Sequence, residues 1–192
     1  MKEAIRYGVA RGLFCNESGL GSAPIVAAAA QTRNPIRQAL VASPGKFWDA
    51  VVVCAVTGIV LVNSGEWLKG LKGAALTNAA FADIPAVGPI VLTVGLLTFV
   101  FSTIIGWSYY GEKAAEYLFG VGAILPYRVL WVAVAMIGST LSLSIVWSLA
   151  DITNGLMAIP NLVSLIWLNR VIVEETKHYL WEERFDEPFR NK

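Results

Sequence analysis

The chain has few charged residues, one histidine and two cysteines. Only 15% of its 192 residues are charged and 56% are hydrophobic, whereas a typical soluble domain carries about 25% charged residues. Cys15 and Cys54 form no metal-ligand spacing, and two cysteines cannot build the disulfide framework of a small secreted protein. The net charge of +1 comes without a basic cluster interleaved with aromatics, so nothing indicates a nucleic-acid partner. The composition therefore argues against zinc sites, histidine-dependent catalysis and nucleic-acid binding.

Long apolar stretches are what the sequence has in quantity. A helix needs about 20 apolar residues to cross a hydrocarbon layer of roughly 30 Å. Four such stretches in so short a chain leave little amphipathic sequence to cover them in water. We therefore predict an all-α, polytopic membrane helix bundle of about four transmembrane helices, with a tight connection at Asp151 and a kink at Pro160. The predicted spans are 47–65, 86–108, 129–150 and 152–173.

Lysine and arginine predict the orientation of this bundle. Residues 1–46 carry six of them, 109–128 two and the tail from Arg170 five, while the only other two, Lys69 and Lys72, follow the first span. An even number of spans places the two termini on one side, which is cytoplasmic by the positive-inside rule. The predicted organisation is a cytoplasmic segment with short helices (1–46), a four-helix membrane region (47–173) and a cytoplasmic tail (174–192). We expect a multi-pass protein of the cell (inner) membrane.

The two flanking segments carry weaker signals. Glycines and Pro24 break the first segment, and Ser22 is a candidate N-cap for a short helix ending at Ala30. Asn34-Pro35 interrupts the chain again before 36–41. For the mixed-charge tail, a solvated helical extension is the simpler interpretation, and a partner-binding helix is the alternative.

The second span contains a stripe of small and hydroxyl side chains. Gly95, Thr98, Ser102 and Gly106 recur every three to four residues, and Thr103 adjoins them. The structural explanation is close helix packing with hydroxyls bonded to carbonyls one turn earlier. The functional explanation is that the Ser102 and Thr103 oxygens bind a hard cation such as Na⁺, with backbone carbonyls from another helix.

Charged side chains next to the spans are further candidates. Asp49 lies at the shallow start of the first span, where an interfacial anchor and a functional acid are equally good explanations. Arg11, Asn16 and Glu17 form a polar cluster among glycines. An Arg11–Glu17 pair acting in a gate, and a solvated loop without fixed pairing, stay open as alternatives.

Several runs resemble the sodium:alanine symporter family. The first, from Gly8 to Pro24, departs from the usual family pattern only in having Cys15 for Ser and Ser18 for Ala, which keeps Arg11, Asn16 and Glu17 in place. The other runs are Asn34–Gln38, Phe47 with Asp49, Cys54–Gly58, Phe101–Trp107, Tyr109–Glu112, Trp147–Asp151 and Asn154–Leu162.

The resemblance implies a leucine-transporter-type inverted-repeat fold, with these spans as helices seven to ten, and raises Ser102 and Thr103 as ligands of the second sodium site. The expected function is the C-terminal fragment of a sodium-coupled symporter importing alanine or glycine by alternating access. Its partners would be the lipid bilayer, a small neutral amino acid and a missing N-terminal half that holds most of the substrate site. No cofactor other than the coupling Na⁺ is expected.

Family members are more than twice this length, so we expect the chain not to transport alone. The alternative is a small standalone structural or assembly membrane protein. Nothing in the spans supports an enzyme.

Overall fold

The computed structural model describes residues 2–17, 19–84 and 87–188, which form helices and turns without a strand. These residues fall into two compact units, one made of residues 1–46 and 115–192 and the other of residues 47–114. Eight α-helices occur along the described residues: α1 (Lys2–Cys15), α2 (Ala23–Ala27), α3 (Pro35–Phe47), α4 (Cys54–Ser64), α5 (Ala74–Ala82), α6 (Gly88–Phe119), α7 (Ile124–Gly138) and α8 (Leu143–Thr176).

Four helical stretches are long and apolar enough to cross a membrane, which confirms the predicted number. They are Pro35–Ser64, Gly88–Phe119, Val121–Gly138 and Leu143–Trp181, with mean hydropathies of 1.8, 2.1, 1.8 and 1.7. Their apolar side chains are largely exposed instead of packed inside the protein. Water would not tolerate so much exposed hydrocarbon, whereas lipid would.

The boundaries of all four stretches differ from the predicted spans, and the second extends to Phe119 while the third begins at Val121. The first begins at Pro35 and not near residue 47, because Pro44 lies within α3 and a π-helical segment, Trp48–Val53, joins α3 to α4. The break between the last two lies at 139–142, where Ser139 and Thr140 hydroxyls donate to carbonyls of the preceding turn. The predicted connection at Asp151 was therefore wrong.

Asp151 lies inside α8, a helix of 34 residues. At 1.5 Å per residue this helix is about 51 Å long, well over the roughly 30 Å of the hydrocarbon layer. Asp151 can therefore be helical without lying at the centre of a membrane. It does not cap a fourth span. Pro160 is also inside the continuous helix.

The N-terminal segment and the tail are more ordered than predicted. The short helix α2 ends at Ala27 and is followed by turns as far as Ala30. Ser22 occupies the N-cap position, but its side chain makes no capping bond there. The tail continues from α8 into a π-helical turn, Lys177–Trp181, and then turns back so that the Tyr179 hydroxyl donates to the Pro188 carbonyl.

Candidate functional site

An ion pair joins α1 to α8 within the first unit. The Arg11 guanidinium donates from Nη1 to Asp151 Oδ1 at 2.7 Å and from Nη2 to Oδ2 at 3.5 Å. Two donors facing two acceptors is the arrangement in which arginine recognises a carboxylate most specifically. The side chains are 29% and 50% exposed, so the pair is only partly removed from solvent. Arg11 thus has Asp151 as a partner, which neither of the two alternatives left open by the sequence included.

Two aromatic side chains surround this pair. The Arg11 guanidinium lies 3.7 Å from the centre of the Trp147 ring, close enough for a strong cation–π contact. The Phe14 ring meets Trp147 edge to face at 6.4 Å. Arg11 and Phe14 are three residues apart on α1, and Trp147 and Asp151 are four apart on α8, so each pair shares one helix face. These four residues are called the α1–α8 cluster below.

The turn after α1 lies close to α8 at Asn161, which comes after Asp151 on that helix. Gly21 has a φ of +82°, and a Cβ added to it would lie 3.0 Å from Asn161 Oδ1. Glu17 has a φ of 53°, an uncommon conformation for a residue other than glycine. Its carboxylate accepts a hydrogen bond of 2.9 Å from the buried Ser22 hydroxyl. Glu17 and Ser22 are thus bonded to each other across this turn.

A cavity of about 650 Å³ separates α1 from α8 beside the cluster. Its walls are mainly apolar, and Arg6, Asp151 and Asn154 provide polar atoms on its rim. The lining residues are Arg6, Tyr7, Ala10, Leu13, Phe14, Gly19, Leu20, Asp151, Asn154, Gly155, Ala158 and Leu162. The lining residues of α8 recur at helical spacing along a single face of that helix.

Asn16 has one end of its amide satisfied and the other not. Its Nδ2 donates to the carbonyl oxygen of Gly12 at 3.0 Å, while its Oδ1 is buried without a hydrogen-bond donor among the described residues. Leaving a buried acceptor without a donor costs about 1–3 kcal/mol.

The hydroxyls predicted to bind a cation lie on α6, in the second unit. Thr98 donates to the Val94 carbonyl at 2.6 Å, and Ser102 donates to the Phe99 carbonyl at 3.0 Å. These are the bonds to the preceding turn that the packing explanation requires. Each hydroxyl oxygen nevertheless keeps lone pairs that a cation can use. Ser102 and Thr103 are both exposed, so the geometry of α6 leaves the cation-binding prediction untested.

Sequence reasoning missed that Trp147 and Asp151 are partners of Arg11. A signal was present, because one family-like run contains Arg11 and another contains Trp147 and Asp151, separated by 140 residues between the paired charges. An arginine and an aspartate in two such runs are natural partners. Asp151 was instead interpreted as the end of a span.

Comparisons with known proteins agree on one family. The sequence model described as the sodium:alanine symporter family matches residues 1–190. Over 180 residues the chain is 52% identical to the sodium/alanine symporter AgcS of Methanococcus maripaludis, covering 92% of this chain and 40% of that protein. It is 35% identical over 184 residues to the probable sodium/glutamine symporter GlnT of Bacillus subtilis, covering 94% and 38%. The chain thus spans about 40% of the length of the curated relatives it matches. No solved structure gives a significant match.

Proposed function

The chain belongs to the sodium:alanine symporter family, and we propose that it forms part of a sodium-coupled symporter for a small neutral amino acid. The observation that carries this proposal is the match over residues 1–190, with 52% identity to a sodium/alanine symporter. Alanine or glycine is the proposed substrate. Such a symporter works by alternating access, in which binding of the ion and of the amino acid are coupled. No covalent chemistry is involved.

Transport is proposed to require the rest of a family-length protein. The relatives are about two and a half times as long as the matched part. Many secondary transporters bind substrate and ion between two structural repeats, each of which supplies part of the site. We propose that this chain supplies the spans of the second repeat of a leucine-transporter-type fold. The exposed apolar faces of its long helices are the surface on which the first repeat would pack.

The proposed orientation has both termini in the cytoplasm of a cell-membrane protein. The new break at 139–142 leaves four spans and places no lysine or arginine in that connection. Apart from Arg11, which pairs with Asp151 in the N-terminal third of α8, twelve basic residues lie on the side of the termini and two, Lys69 and Lys72, on the other. The positive-inside rule supports this orientation.

Ser102 and Thr103 are proposed as ligands of the coupling Na⁺. Both lie in the long apolar stretch of α6, and hydroxyl oxygens are ligands for a hard cation. The hydrogen bond from Ser102 to Phe99 is compatible with this role, because it leaves the lone pairs of the hydroxyl oxygen available. Carbonyl oxygens from a broken helix of the other repeat would complete the site.

The α1–α8 cluster is proposed as a gate element. Asp151, the ion-pair partner of Arg11, lines the cavity between α1 and α8, and the Arg11 guanidinium lies over the Trp147 ring. Asn16 and Glu17 belong to the same element, because Glu17 fixes the turn through Ser22. A pair that is half exposed costs little to break and re-form, which suits a part that opens in each cycle.

The proposal is tested by exchanging this chain into a relative. The aligned 180 residues of the M. maripaludis symporter are replaced by this chain, and alanine uptake is measured in cells deficient in it. We expect sodium-dependent uptake by the exchanged protein and none by the chain alone. A chimera that is inserted in the membrane but takes up no alanine would contradict the proposal, as would sodium-dependent uptake by the chain alone.

The sodium site is tested in the same chimera. Ser102→Ala with Thr103→Ala removes two hydroxyl oxygens, so the Na⁺ concentration for half-maximal uptake should rise by roughly tenfold or more, the effect of losing about 1.4 kcal/mol of binding. Thr98→Ala is the matched control, because it removes a hydroxyl of the same helix that bonds to Val94. An unchanged sodium requirement in the double variant would remove both residues from the ion site.

A further inference from the structure

The segment that follows α8 folds into a compact turn. Tyr179 has no exposed surface, and its hydroxyl donates to the Pro188 carbonyl at 3.2 Å. The amide of Glu187 donates to the Arg184 carbonyl at 3.1 Å, which closes the turn. Glu183 has a φ of 56°, in the left-handed region that lets the chain reverse. Residues 177–188, called the tail clasp below, therefore have a defined shape.

The Asn34 side chain bonds to backbone carbonyls of the tail clasp. Asn34 is 2% exposed. Its Nδ2 donates to the carbonyls of Phe185 at 2.8 Å and Glu187 at 3.2 Å. Its Oδ1 accepts from the Arg37 amide at 2.9 Å, as an N-cap residue of α3 does. One buried side chain thus begins a helix and binds two carbonyls of a segment about 150 residues away.

Arg37 binds two side chains of the same turn. Its guanidinium lies 5.0 Å from the centre of the Phe185 ring. Its Nη1 lies 3.3 Å from Asp186 Oδ1. An arginine that contacts an aromatic face and a neighbouring carboxylate selects for that pair of side chains. Asn34 therefore contacts the backbone of the turn, and Arg37 contacts its side chains.

We infer that the start of α3 is a docking site for an acidic turn peptide with an aromatic residue next to an aspartate, and that residues 185–188 of this chain occupy it. Through these bonds the docked tail clasp connects the end of α8 to the elbow, meaning the bend at Asn34 where α3 begins. It thereby fixes the direction in which α3 leaves that elbow. Nothing in this docking depends on which solute the protein transports.

Hydrogen exchange measured on the full chain in detergent micelles tests the docking. The readout is the exchange rate of the peptide spanning 182–188, which contains the bonded Glu187 amide. Asn34→Ala removes two hydrogen bonds from a buried donor, and exchange should accelerate by about tenfold. Ser43→Ala is the control on the same helix, because its hydroxyl bonds only to Ala39. Asn34→Ala exchange equal to that of the parent would overturn the inference.

Charge variants extend the test in case Asn34→Ala does not fold. Asp186→Asn should raise exchange by a few fold, since a half-exposed ion pair contributes little. Glu183→Gln removes the same charge elsewhere in the turn and should have no effect. Exchanging the charges, Arg37→Asp with Asp186→Arg, should restore slow exchange relative to either single variant. Failure of that restoration, or protection that disappears when the protein is diluted among micelles, would overturn an intramolecular docking.

Discussion

The ion pair between α1 and α8 allows a quantitative test of the site. Arg11 makes two hydrogen bonds to Asp151 and lies over the Trp147 ring. A pair that is 29% and 50% exposed contributes about 0.2–1 kcal/mol by the range measured for exposed pairs. The cation–π contact adds about 0.5–1 kcal/mol. Arg11→Ala should therefore lower the free energy of unfolding by about 1–2 kcal/mol.

A double-mutant cycle separates the ion pair from the other losses. Arg11→Ala, Asp151→Ala and the double variant are unfolded in mixed detergent micelles, and the coupling energy is taken from the three changes in free energy. We expect a coupling close to 1 kcal/mol for Arg11 with Asp151, and about half to all of that for Arg11 with Trp147. The expected Arg11–Asp151 coupling exceeds the scatter of about 0.3–0.5 kcal/mol seen for sites that do not interact, and the Arg11–Trp147 coupling lies at or above the top of that scatter.

The same cycle between Arg11 and Glu17 is the matched control. Both side chains lie in the family-like run, but the Glu17 carboxylate accepts from Ser22. Its coupling to Arg11 should fall within that scatter. A large Arg11–Glu17 coupling together with a negligible Arg11–Asp151 coupling would refute the structural argument and support the Arg11–Glu17 pair, one of the two alternatives left open by the sequence.

Two further predictions follow from local geometry. Gly21→Ala should destabilise the chain by about 1–3 kcal/mol, because φ is +82° and the new Cβ would press on Asn161; thermal unfolding should show no such loss for Gly12→Ala, whose Cβ meets open space. In the loop after the first span, the hydrogen bond to Glu66 and the charge of that residue raise the pKa of Lys69. The stability this gives is present below the unfolded pKa of about 10.4 and is lost as pH rises through the folded one; NMR titration should show a lower pKa of Lys69 in Glu66→Gln, and an unchanged value would contradict the assignment.

The membrane bundle could be predicted because hydrophobicity is a local property. Four apolar stretches are visible without any knowledge of contacts, and four helical candidates are found. Hydrophobicity alone could not reveal the break at 139–142, because the residues there do not interrupt the apolar pattern. Serine and threonine there satisfy their hydroxyls within the preceding turn, so the sequence stays apolar enough to look continuous.

The partners of charged and polar residues could not be predicted, since they are far apart in the sequence. Asp151 looks like a span boundary until Arg11 neutralises it from another helix. Asn34 looks like a helix breaker before Pro35, and its second role appears only when the tail reaches its Nδ2. Both the cap of α3 and the bonds to the tail became visible only in the folded chain.

Sodium-driven alanine accumulation tests the proposed function most directly. The chimera of this chain with the M. maripaludis symporter is reconstituted in proteoliposomes, and labelled alanine is followed under an inward Na⁺ gradient, with a K⁺ gradient of equal size as the control. We predict accumulation above the external concentration that is abolished when an ionophore collapses the Na⁺ gradient. Alanine that only equilibrates across the membrane, or that accumulates equally under the K⁺ gradient, would contradict sodium coupling through this chain.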